Sequence, residues 1–211
     1  MHKTKMNSVL LLALALAAPV LPAQEAAPNV MLQSVTLEVI AALKQERDLH
    51  GGNPKQVASL LETKVLPLFD FPRMTQIAVA RNWRLATPQQ QAALTTEFRT
   101  LLVRTYSTVL SSYRDQVIEF RSMRSAPADT EVTVKSVVKQ SGTAPVPMDY
   151  DMEKTPAGWK VYDIKVAGVS LVTTYRDSFS ERIRDDGVDG LIKALEDKNR
   201  QGDSRSRAPK S

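Results

Sequence analysis

The sequence predicts a single α+β domain in which helices cover one face of an antiparallel sheet. Apolar residues recur first at helical spacing, then at strand spacing and finally at helical spacing again. The 211 residues are 43% hydrophobic and 24% charged, which is typical of folded proteins. Since the chain has no cysteine and only two histidines, disulfide frameworks, thiolate nucleophiles and metal sites built on cysteine or several histidines are excluded.

The N-terminal segment, residues 1–23, has the pattern of a secretory signal peptide. Lys3 and Lys5 precede an apolar run at residues 9–18. The small residue Ala23 follows after two prolines. A membrane-spanning helix needs about 20 apolar residues in succession, and this run is shorter. We therefore expect cleavage after Ala23 and export of the mature protein to the periplasm.

The positive charge of the chain is concentrated near its two ends. The formal net charge is +5, yet residues 24–197 contain one more acidic residue than basic residues. Residues 198–211 hold five basic residues among small and polar ones, which predicts a disordered tail. A nucleic-acid-binding domain concentrates positive charge on one face of its fold, so we expect no nucleic-acid partner. Residues 24–197 are predicted to form the single domain.

Four helices are predicted in the first half of the mature chain. The first ends before Gly51, and Asn53-Pro54 caps and starts the second. A short third helix begins near Pro72, and Thr87-Pro88 opens the longest one. Six residues of this long helix fall within a narrow arc and predict its inward face: Leu94, Phe98, Leu101, Leu102, Thr105 and Val109.

From Gln116 onwards, apolar residues recur at every second position, which predicts strands. The alternating runs contain Ile118, Val134, Tyr150 and Ile164 in turn. Because short connections join these runs, they indicate a curved antiparallel sheet of four strands with one solvated face.

The last strand and the helices after it complete the predicted fold. Tyr162, Ile164 and Val166 are expected to share one face of the fourth strand. Ser170 is expected to begin a fifth helix, and Gly187 to separate it from a sixth. The helices would then lie over one face of the sheet.

Acidic residues are the first candidates for chemistry. Asp149, Asp151 and Glu153 occupy every second position and so share one face of a strand. Neighbouring residues on one face lie about 7 Å apart, however, and cannot surround one cation by themselves. We therefore expect no metal site. Asp163 is either a catalytic base in a cavity or a structural acceptor of backbone amide hydrogen bonds, and the second interpretation is favoured. No phosphate loop, nucleophile elbow or dinucleotide fingerprint occurs, so no catalytic residue and no cofactor are predicted.

Large, adaptable side chains point inward from both predicted layers. Met148, Tyr150 and Met152 lie on the sheet, and Tyr106 and Tyr175 lie on helices. Methionine adapts to ligands of variable shape, and tyrosine can line an apolar wall while its hydroxyl stays at a wet rim. An ordinary packed core accounts for the same residues, so composition alone does not separate a core from a cavity.

Six short motifs, in order, resemble the MlaC family over about residues 30 to 197. The motifs are Leu68-Phe69-Asp70-Phe71, Ala80-Arg81-Asn82-Trp83-Arg84-Leu85-Ala86-Thr87-Pro88-Gln89-Gln90, Phe98 with Leu101-Leu102-Val103-Arg104-Thr105-Tyr106, Gly158-Trp159-Lys160-Val161-Tyr162-Asp163, Gly168-Val169-Ser170-Leu171 and Gly187-Val188-Asp189-Gly190-Leu191. Two positions depart from the pattern: Ala80 stands where the family commonly has glycine, and Ala167 where it often has glutamate.

The resemblance implies a periplasmic phospholipid carrier, of the kind also called toluene-tolerance auxiliary proteins. It implies a fold related to the nuclear-transport-factor-like cone, with an apolar cavity between sheet and helices that takes the acyl chains. It also implies two partners, an outer-membrane lipoprotein-porin complex and an inner-membrane ABC transporter with its MCE-domain ring. We expect the protein to be a monomer.

Ten side chains are expected to line this cavity and bind lipid without a covalent step. They are Tyr106, Val109, Leu110, Ile118, Met148, Tyr150, Ile164, Val166, Leu171 and Tyr175. Two other classes of function stay open. One is a periplasmic adaptor or chaperone with a filled core and no ligand, and the other is an isomerase or hydrolase that uses Asp163 and a tyrosine in the same kind of cavity.

Overall fold

The computed structural model describes residues 26–50, 54–111, 115–124, 126 and 128–207. The expected signal peptide and its cleavage site lie outside these residues. The α-helices of the described part are α1 Pro28–His50, α2 Pro54–Leu60, α3 Phe71–Val79, α4 Pro88–Ser111 and α5 Arg176–Arg207. The strands of that part are β1 Val117–Phe120, β2 Glu131–Lys139, β3 Val146–Thr155, β4 Gly158–Val166 and β5 Val169–Ser170.

The first helix contributes to two separate apolar clusters. Val39 and Leu43 of α1 are buried against Leu61, which follows α2 in a short π-helical turn. Nearer its start, Leu32 is buried against the sheet. Helix α1 therefore connects the α2 region to one face of the sheet.

Helices α3, α4 and α5 pack together around the main core. Asp70 caps α3 by accepting a hydrogen bond from the Arg73 backbone N–H at 2.8 Å. Phe98 of α4 is completely buried, and Phe179 packs edge-on against it with ring centroids 5.2 Å apart. Four residues of the predicted inward face of α4 are buried, which confirms that part of the pattern: Leu94, Phe98, Leu101 and Leu102. Thr105 is exposed, contrary to the prediction, and the side chain of Val109 lies outside the described residues.

The sheet has five antiparallel strands in sequence order, not the four that we expected. The additional strand β5 has only two residues, too few for an alternating pattern to be visible. It returns from β4 through Ala167 and Gly168, which both have positive φ, as a two-residue hairpin turn requires.

Ser170 does not begin a helix as expected, because it ends β5. Its hydroxyl nevertheless accepts a hydrogen bond from the Thr173 backbone N–H at 2.9 Å, where a 3-10 turn leads into α5 at Arg176. Ser170 therefore caps the turn that precedes the helix, but the α-helix itself starts six residues later.

A bulge changes the face to which β4 residues belong. The register shifts between Asp151 and Met152, so Met152 lies opposite Val161 while Asp151 lies opposite Asp163. Tyr162 is the extra residue. Val161 therefore joins the apolar face, and Tyr162 does not share that face with Ile164 as the simple alternation predicted.

Helix α5 bends at Gly187, where φ is 73° and the helical backbone is interrupted. This break lies where the sequence predicted a separation of two helices. The second half then continues beyond residue 197 to Arg207. Asn199 is buried, and its side-chain amide donates to the backbone carbonyl of Glu97 at 3.0 Å. The start of the expected disordered tail therefore belongs to the packed helix.

One backbone position between α3 and the following 3-10 segment is strained. Ala80 has φ 54° and ψ −130°, a conformation that glycine adopts more readily than residues with a Cβ. Such strain costs about 1–3 kcal/mol.

Substitution Ala80→Gly is expected to raise the free energy of unfolding by about 1 kcal/mol. The relief of strain exceeds the additional backbone entropy that glycine loses on folding, about 0.5–1 kcal/mol. The matched control is Ala92→Gly at an exposed position of α4, which is expected to lower stability by about 0.5–1 kcal/mol. Urea denaturation of both variants measures the difference. Equal losses in the two variants would show that Ala80 is unstrained.

Candidate functional site

The apolar face of the sheet is closed at one end. Val134 and Met152 are completely buried there, and Val161 and Leu32 are nearly so. Phe69 packs on this cluster and also on the helical core. Its backbone lies beside Val161 as a parallel bridge. This end of the sheet is an ordinary packed core.

The other end of the same face carries large apolar side chains that are only half-buried. Tyr150 lies opposite Ile164, and Met148 lies opposite Val166. Ile118 of β1 lies on this face too. It pairs with Val138, which lies on the same face of β2 as Ser136, the partner of Met148. All five of these predicted lipid-binding residues therefore share one surface: Ile118, Met148, Tyr150, Ile164 and Val166.

Leu171 extends this surface beyond the end of β4. Its backbone N–H donates to the carbonyl oxygen of Ile164 at 2.8 Å, and its side chain is half-buried. Contiguous apolar side chains that are not fully buried form a candidate surface for an apolar partner. We call the six residues the open apolar face: Ile118, Met148, Tyr150, Ile164, Val166 and Leu171.

Tyr150 supplies a polar group within the open apolar face. Its ring stacks on Phe120 with centroids 6.0 Å apart. Its hydroxyl lies 2.9 Å from the Met148 sulfur, to which it donates a hydrogen bond. Burial raises the pKa of Tyr150, and a side-chain hydrogen bond with Ser136 opposes the rise. The phenol is therefore neutral at physiological pH, and its single O–H is engaged with the Met148 sulfur.

The helical members of the predicted site lie in a different cluster. Tyr106 and Tyr175 are half-buried and pack on the core formed by α3, α4 and α5. Burial raises the pKa of Tyr106, and a hydrogen bond with Tyr175 adds to the rise. The side chains of Val109 and Leu110 lie outside the part of the chain that the structure describes.

The structure thus brings six of the ten predicted residues together, five on the sheet and Leu171 directly after β5, and places Tyr106 on α4 and Tyr175 in the 3-10 turn before α5. Two surface grooves of the described residues, about 750 and 1000 Å³ in volume, are lined by other side chains. The enclosed apolar cavity stays a prediction. Phe120 is not among the ten predicted residues, although it lies two positions after Ile118 on the same face of β1 and pairs with Ser136 across the sheet.

The acidic residues of the sheet are engaged in structural contacts. Asp163 is buried and accepts a hydrogen bond from the Val172 backbone N–H at 3.3 Å, as the favoured interpretation expected. Asp151 forms an ion pair with Lys165 at 2.6 Å, and the hydrogen bond in this pair raises the pKa of Lys165. Within the described residues, no group of three or more acidic or histidine side chains is placed to hold a metal ion.

No helix in the described part of the chain has the length and apolar character to cross a membrane.

A solved structure with the same architecture is a phospholipid-binding protein. The protein comes from Ralstonia solanacearum, and its structure was determined in complex with a phospholipid. It matches this chain with a TM-score of 0.75 and 41% sequence identity, over 83% of this chain and 98% of that chain. The two proteins therefore share their fold.

Sequence comparison leads to a named family. The toluene tolerance protein ttg2D of Pseudomonas putida is 27% identical over 182 residues, which are 85% of this chain and 83% of the relative. The intermembrane phospholipid transport system binding protein MlaC of Haemophilus influenzae is 19% identical over 175 residues, 82% of each chain. The family model for the MlaC protein matches residues 33–197. The chain belongs to the MlaC family, which confirms the resemblance in its motifs.

Truncation of two methionines on one strand tests whether the open apolar face is less tightly packed than the closed end. Met152→Ala is expected to lower the free energy of unfolding by about 2–5 kcal/mol, since it leaves a cavity in a packed core. Met148→Ala, on the same face of β3, is expected to lower it by less than about half as much, because Met148 is only half-buried. Urea denaturation of lipid-free protein gives both values. Equal losses would show that Met148 is packed as tightly as Met152.

Proposed function

We propose that this chain is a periplasmic carrier that binds phospholipid without a covalent step. The observation that carries the proposal is the open apolar face, on which six large or branched side chains lie half-buried beside one another. The 41% identity with a protein whose structure was solved with a phospholipid supports the same ligand.

The energetic need for such a carrier follows from the acyl chains. Exposure of one methylene to water costs about 0.8 kcal/mol, so two chains of about 14 methylenes each cost about 22 kcal/mol. Free phospholipid therefore does not cross an aqueous compartment at a useful rate. A carrier must cover the chains and leave the charged headgroup in water, because burial of an unpaired phosphate is far more costly.

The proposed lipid site keeps all ten predicted residues. Six form the open apolar face on the sheet, where the acyl chains would lie. Tyr106 and Tyr175 would contribute from the helices, with Val109 and Leu110 on the last turns of α4. Phe120 is added to the proposed site because its ring stacks on Tyr150.

The carrier is proposed to act between two membrane complexes. The donor and acceptor would be an outer-membrane lipoprotein-porin complex and an inner-membrane ABC transporter with an MCE-domain ring, in either direction. The name of the Haemophilus influenzae relative, an intermembrane phospholipid transport system binding protein, supports this role. Export would depend on the signal pattern in residues 1–23.

One observation favours the carrier over the enzyme alternative. Asp163 is buried and holds the Val172 backbone N–H, so it has a structural task that does not require a substrate. The ligand-free adaptor alternative is tested directly by the content of purified protein.

Native mass spectrometry of the protein, purified from cells without detergent, is expected to show bound phospholipid. The mass increase should correspond to a whole number of lipid molecules, and extraction with organic solvent should release glycerophospholipid. A preparation that yields no phospholipid at any stoichiometry would contradict the carrier proposal and favour the ligand-free adaptor.

Substitution Met148→Trp is expected to lower phospholipid affinity by about tenfold or more, since overpacking of a site costs about 1–3 kcal/mol. The matched control is Lys135→Trp, which places the same side chain at an exposed position on the opposite face of the sheet. Both variants are compared by lipid content and by competition with a fluorescent phospholipid. Equal occupancy in the two variants would show that the acyl chains do not lie against Met148.

A further inference from the structure

A second surface of the molecule lies away from the open apolar face. A groove of about 1000 Å³ is lined by α3, by the 3-10 segment Ala80–Leu85, by the ends of β2 and β3 that carry Glu131 and Glu153, and by Arg176 at the start of α5. Met148 of the open apolar face and Glu153 at the edge of the groove are five residues apart on β3, which separates them by about 16 Å along the strand.

The segment Ala80–Leu85 is held firmly in place. The Gln91 side-chain amide donates to the backbone carbonyls of Trp83 at 3.0 Å and Ala86 at 3.2 Å. Asn82 is buried, and Trp83 packs on the helical core. A surface fixed in this way loses little conformational entropy when a partner binds.

This rigid segment presents two arginines and a leucine to solvent. Arg81 and Arg84 are exposed, and neither guanidinium has a hydrogen-bond or ion-pair partner among the described residues. Leu85 is 73% exposed, more than any other large apolar residue in the described part. Arg176 borders the same groove and is held by a hydrogen bond from Nε to the Ile77 carbonyl at 2.9 Å.

The carboxylates of the groove do not neutralise these arginines. Glu131 and Glu153 both form ion pairs with Arg73, whose guanidinium also lies 3.7 Å from the centre of the Tyr162 ring. The groove's four arginines, Arg73, Arg81, Arg84 and Arg176, outnumber these two carboxylates, so a net positive charge stays available to a partner.

We propose that Arg81, Arg84, Leu85 and Arg176, here called the basic platform, dock an acidic protein surface that has an apolar pocket for Leu85. Arginine is enriched among the residues that dominate binding energy at protein interfaces, and the exposed Leu85 adds apolar surface that a partner can bury. Opposite charge across an interface also speeds association and sets orientation. This inference rests on the proposed function, because a carrier needs a partner that receives or supplies the lipid.

A protein fits the basic platform better than a lipid bilayer does. The platform borders a concave groove that also contains the carboxylates of Glu131 and Glu153. A flat anionic bilayer would meet these carboxylates together with the arginines, whereas a folded partner can place its own carboxylates against the arginines alone. Docking at this distance from Met148 would also leave the open apolar face uncovered during lipid exchange.

The test is the double charge reversal R81E/R84E in the full protein. The probes are the purified periplasmic domains of the two proposed membrane complexes and vesicles of phosphatidylglycerol and phosphatidylcholine in equal amounts. The dissociation constant of the complex with one of the two protein domains should be at least about tenfold higher for the variant than for the unaltered protein. For the unaltered protein, this constant should increase with salt concentration. The matched control is R121E/R124E, which makes the same charge change at two exposed arginines with the same spacing.

The apolar anchor has its own test. Leu85→Ala should weaken the same complex, whereas Leu37→Ala, at another exposed leucine on α1, should not. Circular dichroism should show the same melting temperature for both variants, since both side chains are exposed.

Phospholipid content separates failure of this inference from failure of the proposed function. If R81E/R84E retains its lipid and binds both domains as the unaltered protein does, the basic platform is not the docking surface. If only binding to the vesicles is lost, the occupant is a membrane and the inference is overturned. If the unaltered protein carries lipid but binds neither domain, the platform has no such partner and the proposed handover fails with it. If no lipid is found, the carrier function itself fails.

Discussion

The molecule depends on unequal coverage of one apolar sheet face. At one end, α1 and Phe69 bury Val134 and Met152 completely, and this contact joins the sheet to the helices. At the other end, the side chains around Met148 stay half-buried. A fold that closed both ends would gain stability but would have no surface for an apolar ligand. The closed end therefore stabilises the fold, while the open end stays available for the proposed ligand.

The bulge at Tyr162 connects this arrangement to the second surface. It turns Val161 towards the closed end and leaves the Tyr162 ring beneath the Arg73 guanidinium. Arg73 in turn pairs with Glu131 and Glu153 on the polar face, and α3 is thereby fixed to the sheet. Because the segment Ala80–Leu85 follows α3 directly, the same contacts set the direction in which the basic platform faces.

Most of the fold was predictable from local patterns, and the exceptions have physical reasons. The arc of apolar residues in α4 predicted the buried positions from Leu94 to Leu102, because burial on a helix follows its wheel. Strand β5 has only two residues, so no period is visible in it. The helix beyond residue 197 is held by contacts such as Asn199 with Glu97, 102 positions away, which sequence composition does not reveal. The sheet part of the site followed from alternation, whereas the placement of Tyr106 depends on how α4 packs.

The half-open site also bears on how a carrier releases its cargo. A bilayer shelters every methylene of a phospholipid, so a carrier that leaves some methylenes in contact with water binds the lipid less favourably, by about 0.8 kcal/mol for each one. Complete burial would remove this difference and slow release to an acceptor. A partner that docks on the basic platform can shift the balance only if its affinity differs between the loaded and empty carrier. The platform follows α3, whose Arg73 pairs with Glu153 on β3, the strand that also carries Met148. We therefore expect any coupling between docking and lipid binding to pass through β3.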